Sequence, residues 1–349
     1  MLHDSNPMKS FGTTLAMIVL LSGVAVSGYV FSGTDVFAPE SDPPASSGRV
    51  TAGEEIPSVD ASIVGTIREE MPSFPNFFPL PKSEVAGPRG PVRVEGVPQI
   101  EMNARAVFAV TDRGEVLFEH NADQVLPIAS ISKLMTALVA TEQLAYDAPV
   151  PISAEAIATE GNLGDLYSGE TLSLHDALLA MLLPSSNDAA VAIAEALGGV
   201  EVTVNAMNAE AVDRGWKGSV FRNPHGLTPG GNDMSARHVS EMLFATLDTP
   251  ILGEMLRQHS VKTTSLDGIA HTFTHRGNGL TEFPGVLGLK TGYTDESQGT
   301  LAFAFTPDPE SDRRVAIVVL GSLDRSGDVE SLARWISAAY TFPQEATSD

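Results

Sequence analysis

The chain has 349 residues, 43% of them hydrophobic, so it can form one large globular domain or two smaller ones. Its 44 acidic and 21 basic residues give a formal net charge of −23, which argues against nucleic acid or an anionic lipid surface as a partner. The absence of cysteine excludes disulfides, a thiolate nucleophile and cysteine-ligated metal centres.

The N-terminal region contains an uncharged apolar stretch, residues 11–31. As a helix its 21 residues would be about 30 Å long and could cross a bilayer. Lys9 precedes the stretch and Asp35 follows it, an order that favours a cytoplasmic N-terminus, residues 1–10, and an extracytoplasmic remainder. The small residues 25–27 also allow cleavage of a signal peptide. We therefore predict a transmembrane anchor, with a cleaved signal as the alternative.

The next stretch, residues 32–98, holds eleven of the 23 prolines and shows no sustained helical or strand period. It is predicted to be a linker. Periodic patterns begin at about residue 99, and we expect one folded domain over residues 99–342, followed by a short tail, residues 343–349.

Within that domain, strand patterns occur at both ends and helix patterns in the middle. A hairpin is predicted around Asp112-Arg113-Gly114, a helix starts at Ser130, and residues 150–245 are nearly all helical. Three β runs and a last helix, residues 329–340, follow. These patterns predict an α+β fold, in which an antiparallel sheet from both ends of the domain is flanked by helices and interrupted by an all-helical lobe.

The central motif is Ser130-x-x-Lys133 at the start of its predicted helix. Residues three apart lie on one helix face, so the two side chains can touch. A lysine can accept the proton of a seryl hydroxyl only as a neutral amine, and burial or a second cation nearby would lower its pKa. On its own the motif occurs by chance about once or twice in a chain of this length, so it needs support.

Two further motifs supply that support in the required order. Ser185-Ser186-Asn187 lies at the turn before a predicted helix, and Lys290-Thr291-Gly292 lies on a predicted strand. The three motifs together are typical of class A β-lactamases and penicillin-binding proteins.

The chain resembles the D-alanyl-D-alanine carboxypeptidases, which are low-molecular-mass, serine-type penicillin-binding proteins. The resemblance covers about residues 99–342 and also includes the stretch 107–136, Met207-Asn208 and the Asn-Pro-x-Gly-Leu loop at residues 223–227. Leu287 and the strand beginning Gln298-Gly-Thr-Leu depart from the usual pattern, which leaves substrate preference open.

The resemblance implies the two-lobed serine β-lactamase/penicillin-binding fold and an enzyme that trims the terminal D-Ala from peptidoglycan stem peptides. No cofactor is implied, and β-lactams would act as acylating inhibitors. With the anchor, it implies a bacterial cell-envelope protein whose catalytic domain is extracytoplasmic, or a secreted protein if the signal is cleaved. The predicted catalytic residues are Ser130 as nucleophile, Lys133 as base, Ser185 as proton relay and Asn187 as the orienting amide. The predicted substrate-binding residues are Lys290, Thr291, Gly292, Tyr293 and Arg325.

Several alternatives stay open or are weighed against this prediction. An endopeptidase would cut the same type of bond in a cross-link. A class A β-lactamase would need a deacylation base, which a Glu-x-x-x-Asn string supplies. Glu201 and Asn205 match that string, but they lie inside a predicted helix. A non-catalytic wall-binding protein would need a damaged site. A metallopeptidase is not favoured, because His271 and His275 lack a His-Glu-x-x-His context, and we predict no metal.

Overall fold

The computed structural model describes residues 90–343, apart from residues 162, 228, 229 and 278. These described residues all fall within one compact unit. The predicted cytoplasmic N-terminus, the anchor at residues 11–31, most of the linker and residues 344–349 of the tail lie outside them. In the described part no single helix is long and apolar enough to cross a membrane. One bent pair of helices, Asn187–Ala196 with Val200–Asp213, has the required length and apolar composition only when the two are taken together.

The described part contains thirteen strands and eight α-helices. The strands are β1 (Val92–Arg93), β2 (Ala106–Thr111), β3 (Val116–His120), β4 (Val125–Pro127), β5 (Pro149–Pro151), β6 (Thr171–Ser173), β7 (Asp233–Ser235), β8 (Ser260–Thr264), β9 (Ala270–Thr274), β10 (Val286–Thr294), β11 (Gln298–Phe305), β12 (Val315–Ser322) and β13 (Tyr340–Thr341). The helices are α1 (Lys133–Gln143), α2 (Ala154–Ile157), α3 (Leu174–Leu182), α4 (Asn187–Ala196), α5 (Val200–Asp213), α6 (Ala236–Asp248), α7 (Pro250–Arg257) and α8 (Arg325–Ala339).

The main sheet has five antiparallel strands in the order β10-β11-β12-β2-β3. Its central strands are buried on both faces, which is why they read as continuous apolar runs rather than as alternating ones. Successive side chains nevertheless point to opposite faces. Ala106 and Phe108 of β2 pack in the core shared with α6, whereas Val107 and Ala109 pack in the core shared with α8. The predicted α+β fold, with a sheet built from both ends of the domain, is confirmed.

The lobe between the two halves of the sheet is mostly helical, but it is less uniform than predicted. It also holds the two-strand pairs β5–β6 and β4–β7. Two elements after it, helix α7 and the β8–β9 hairpin, were not predicted. Helix α7 begins with Pro250 directly after α6, because proline fits the first helical position while ending the preceding helix. The hairpin pairs in register from Ser260 with Thr274.

Three predicted boundaries differ from the structure. Strand β1 pairs with β13, and Trp335 Nε1 donates to Pro98 O at 2.8 Å, so the folded domain starts before the predicted residue 99. Ser130 lies on a 3₁₀ turn, Ala129–Ser132, and the α-helix starts only at Lys133. The last helix starts at Arg325, because the Asp324 carboxylate caps it by accepting from Gly327 N at 3.0 Å.

Candidate active site

The turn that carries Ser130 is held between the sheet and helix α1. Ala129, just before the serine, has a positive φ of 48°, a conformation that a non-glycine residue keeps only when its surroundings enforce it. Thr300 Oγ1 on β11 donates to Ile128 O at 3.1 Å and so ties the turn to the sheet. Ser130 itself is only partly buried, so its hydroxyl is accessible to a substrate.

Lys133 is completely buried directly beneath that serine. Its Nζ lies 2.9 Å from Ser130 Oγ, 2.6 Å from Asn187 Oδ1 and 2.7 Å from the carbonyl oxygen of His225. Burial lowers the pKa of Lys133 well below its ordinary value, the positive charge of Lys290 lowers it further, and Asp188 acts in the opposite direction. The amine is therefore biased towards the neutral form that can accept a proton.

The orientation of Asn187 follows from the groups around it. Its Nδ2 donates to Glu160 O at 2.7 Å, and because a carbonyl can only accept, the amide oxygen must face Lys133. The loop that supplies this carbonyl comes very close: a Cβ on Gly161, which has φ +87°, would lie 2.4 Å from Asn187 Nδ2. Gly161 is thus the residue that lets the loop hold the amide.

Ser185 and Lys290 form the second contact of the site. Lys290, on β10, is buried, and its Nζ donates to Ser185 Oγ at 2.8 Å and to Thr291 O at 3.1 Å. Ser185 has a positive φ of 70°, a second strained position in the site. Burial, together with the positive charges of Arg325 and Arg276, lowers the pKa of Lys290 to about 7. A carboxylate bound here would raise that pKa again, because an opposite charge favours the ammonium form.

Strand β10 is the edge strand of the sheet and lies against the turn of the serine. A Cβ on Gly292 would be 2.9 Å from the backbone nitrogen of Ser130, so only glycine permits this approach. Thr291 is buried, whereas the side chain of Tyr293 is 58% exposed. Arg325 Nη1 donates to Gly292 O, which brings the start of α8 to the same strand.

The structure thus brings all nine predicted residues to one region. Hydrogen bonds directly join Ser130, Lys133 and Asn187, and a second contact joins Ser185 to Lys290. Their roles remain predictions.

Sequence reasoning missed several groups that shape the site. The carbonyls of His225 and Glu160 have no sequence signal, because every residue has a carbonyl. Two charged residues were also not singled out. The charge of Arg276 acts on Lys290, and Asp188 is buried directly after Asn187, in the same stretch as the Ser185-Ser186-Asn187 motif.

The residues weighed for other functions are either exposed or hydrogen-bonded to other groups. Glu201 and Asn205 are exposed on α5. His271 bonds Glu170 at 2.9 Å, and His275 bonds Leu289 O at 3.1 Å. No group of three or more His, Cys, Asp or Glu side chains suited to a metal ion occurs among the residues described.

In this two-lobed fold a seryl hydroxyl contacts a buried lysine, and an amide and a carbonyl bond the same lysine. This arrangement defines a serine acyl-transfer site. Comparison with known proteins agrees. Residues 93–323 match the family model described as D-alanyl-D-alanine carboxypeptidase, and the chain belongs to this family. It is therefore a serine-type D-Ala-D-Ala peptidase by family, as the sequence motifs predicted.

The similar proteins include some named as carboxypeptidases and some named as endopeptidases. D-alanyl-D-alanine carboxypeptidase DacB2 of Mycobacterium tuberculosis is 30% identical over 238 residues, covering 68% of this chain and 79% of that protein. A D-alanyl-D-alanine endopeptidase of Pseudomonas aeruginosa is 32% identical over 249 residues, covering 69% and 80%. A crystal structure of a D-alanyl-D-alanine carboxypeptidase from Mycobacterium tuberculosis superposes with a TM-score of 0.64 at 28% identity, over 70% of this chain and 95% of that one.

Proposed function

We propose that this protein is a carboxypeptidase that removes the terminal D-Ala from peptidoglycan stem peptides through an acyl-enzyme on Ser130. The observation that carries the proposal is the set of acceptors around Lys133. Asn187 Oδ1 and the His225 carbonyl can only accept hydrogen bonds, so they take the two N–H groups of a neutral amine. The remaining lone pair then faces Ser130 Oγ, as general-base catalysis requires.

In the acylation step, Ser130 Oγ attacks the carbonyl carbon of the penultimate D-Ala and its proton passes to Lys133 Nζ. The backbone N–H groups of Ser130 and Tyr293 would donate to the oxyanion, and one such donor is typically worth about 3 kcal/mol. Ser185, bonded to Lys290, would relay a proton to the departing D-Ala amine. Water then hydrolyses the ester and releases the shortened peptide.

The substrate's terminal carboxylate would bind to Lys290, Thr291 and Arg325. Because the carboxylate raises the pKa of Lys290 above its resting value of about 7, substrate binding favours a full positive charge there. That charge in turn helps to keep Lys133 neutral. The site therefore reaches its reactive protonation state when substrate is bound.

The first test is covalent labelling of the full chain with a fluorescent penicillin, followed by denaturing electrophoresis and intact mass. We expect a stable adduct on the wild type and none on Ser130→Ala. Rapid penicillin turnover without a lasting adduct would instead indicate a β-lactamase.

The second test separates carboxypeptidase from endopeptidase activity, since relatives with both names are similar to this chain. A pentapeptide that ends in D-Ala-D-Ala and a purified cross-linked muropeptide dimer are offered separately. Release of free D-Ala from the pentapeptide supports the proposal. Cleavage of the dimer alone would make the protein an endopeptidase.

The proposed location is the outer face of the bacterial cytoplasmic membrane, with residues 11–31 as anchor. The support is the uncharged length of that stretch. Membrane fractionation with and without an alkaline wash, combined with N-terminal sequencing, distinguishes an uncleaved anchor from a secreted protein with a removed signal.

A further inference from the structure

Asp188 is a buried acid that the proposed mechanism does not use. It is the second residue of α4, directly after Asn187, and its side chain has no exposed surface. Oδ1 accepts from Ala189 N at 2.9 Å, whereas Oδ2 has no hydrogen-bond partner among the residues described. Burying a carboxylate with an unpaired oxygen is unfavourable, so this position needs an explanation beyond packing.

The charges around Asp188 point to Lys133. Helix α4 packs against α1, which carries this lysine, and also against α2, α3, α5 and β5. Within the described part, the charged side chains that act on Asp188 are Lys133 and Asp165, the latter an exposed residue of the loop before β6. Among the described residues, the opposite charge that acts on Asp188 is thus that of the proposed general base.

We propose that Asp188 is a positioning residue for acylation, whose buried carboxylate is the counter-charge for the ammonium that forms on Lys133. The inference rests on the proposed function, in which Lys133 accepts the proton of Ser130. In this step the O–H bond of Ser130 breaks, an N–H bond forms on Lys133, and Asp188 neither gains nor loses a proton.

The need for a counter-charge follows from the geometry of Lys133. Its amine becomes positive in a fully buried position, where desolvation disfavours a charge. The Asn187 and His225 oxygens offer dipoles but no net charge. A fixed negative charge nearby stabilises the transition state, in which the positive charge develops, more than the resting neutral amine.

The protonation state of Asp188 gives the proposal a pH signature. Burial raises the pKa of Asp188 to about 6, so the carboxylate is charged at neutral pH and loses its charge below about pH 6. Acylation should therefore slow as the pH falls through this value. The nearby charge of Asp165 contributes to the raised pKa.

The test measures the acylation rate constant of the full-length protein with a fluorescent penicillin from pH 4.5 to 9. In Asp188→Asn we expect a rate at pH 8 that is lower by about tenfold or more, because the ammonium that forms on Lys133 then lacks its counter-charge. The acid limb of the pH–rate profile, where the rate falls as the pH is lowered, should also move to lower pH in this variant, because no carboxylate then raises the pKa of Lys133. A rate reduced by the same factor at every pH, with an unmoved midpoint, would mean a structural role and overturn the proposal.

Asp165→Asn is the matched variant, and it decides the question even if Asp188→Asn does not fold. It removes one negative charge from an exposed position, and asparagine tolerates the positive φ of 49° found there. We expect an unchanged rate at pH 8 and a midpoint of the acid limb shifted downward by a few tenths of a pH unit. An unmoved midpoint counts against Asp188 as the titrating group.

The two levels of the proposal fail differently. If the wild type is not labelled at Ser130, the proposed function itself is lost and the role of Asp188 with it. If the wild type is labelled normally and Asp188→Asn matches it in rate and pH profile, only the role of Asp188 is lost.

Discussion

The amide of Asn187 shows how a single side chain sets the proton chemistry of the site. Its oxygen accepts from Lys133 Nζ while its nitrogen donates to Glu160 O. In Asn187→Asp, a carboxylate would face the lysine and raise its pKa, and it would also face the Glu160 carbonyl without a hydrogen to donate. We expect acylation at pH 7 to fall about 100-fold or more, with partial recovery at higher pH, as a pH–rate profile would show.

The matched control is Asn208→Asp on α5. Asn208 likewise uses both amide atoms, but both contacts are with the backbone: it donates to Phe221 O at 2.7 Å and accepts from Phe221 N at 2.9 Å. It should lose stability without a shift of the pH–rate midpoint. Equal midpoint shifts in both variants would show that the effect at Asn187 is not local.

Asp188 should also leave a trace in stability. Its folded-state pKa is raised from 3.8 to about 6, so the native state binds its proton more tightly than the unfolded state does. The corresponding stability is fully present below about pH 4 and is lost as pH rises through about 6. From pH 4 to 7 the unfolding free energy of the wild type should therefore fall relative to Asp188→Asn by up to about 3 kcal/mol. Urea unfolding at the two pH values measures this, and a pH-independent difference would refute it.

At the scale of elements, the contact between strand β10 and the serine turn depends on Gly292. In Gly292→Ala the new methyl group would meet Thr300 Oγ1 at 2.5 Å and Ser130 N at 2.9 Å, so the Thr300 side chain must shift and the strand and the turn must separate. We expect stability to fall by about 1–3 kcal/mol and penicillin acylation to fall about 100-fold.

Gly288→Ala on the same strand provides the comparison. Its methyl group would meet Leu256 Cβ at 2.8 Å and Leu247 Cδ2 at 3.0 Å, on the side of α6 and α7. This variant should lose similar stability and keep its acylation rate. If both variants acylate equally well, the close approach at Gly292 does not matter for the chemistry.

The β8–β9 hairpin clamps the loop that holds Asn187. His271 bonds Glu170 at 2.9 Å, Glu170 also accepts from Tyr167 N at 2.6 Å, and Asp267 Oδ2 accepts from Thr171 N at 2.6 Å. Glu170→Ala removes the first two contacts. Hydrogen exchange followed by mass spectrometry should show faster exchange over residues 160–170 and at the backbone N–H of Asn187, with exchange in β11 and β12 unchanged. Uniformly faster exchange would indicate global destabilisation instead.

These elements show what a sequence can and cannot predict. Ser130, Lys133 and Asn187 were predictable because the chemistry demands particular side chains at fixed spacings. The His225 carbonyl was not, because a backbone acceptor has no residue identity and a loop far along the chain delivers it. The β8–β9 hairpin was missed because its alternating, half-exposed strands are polar and contribute little to either core.

At the scale of the whole molecule, the domain boundary is set by contacts that join its two ends. Val94 N donates to Ala339 O at 2.8 Å, and the Arg93 guanidinium lies 5.0 Å from the ring centroid of Trp335. A chain that starts at residue 99 should therefore unfold at a lower temperature than one that starts at residue 90, by several degrees, with the same acylation rate while folded. Equal melting temperatures would place the boundary at 99 after all.

The pairing of β1 with β13 also determines where the domain can be held under mechanical load. A force applied at residue 90 would first separate β1 from β13 and strain the end of α8, because Val94 N and the Arg93 side chain both bond Ala339 O there. Ser130, Asn187 and Lys290 belong to other elements, and Arg325 lies at the opposite end of α8. A pull on the chain at residue 90 would thus load one corner of the domain while the reacting groups keep their relative positions.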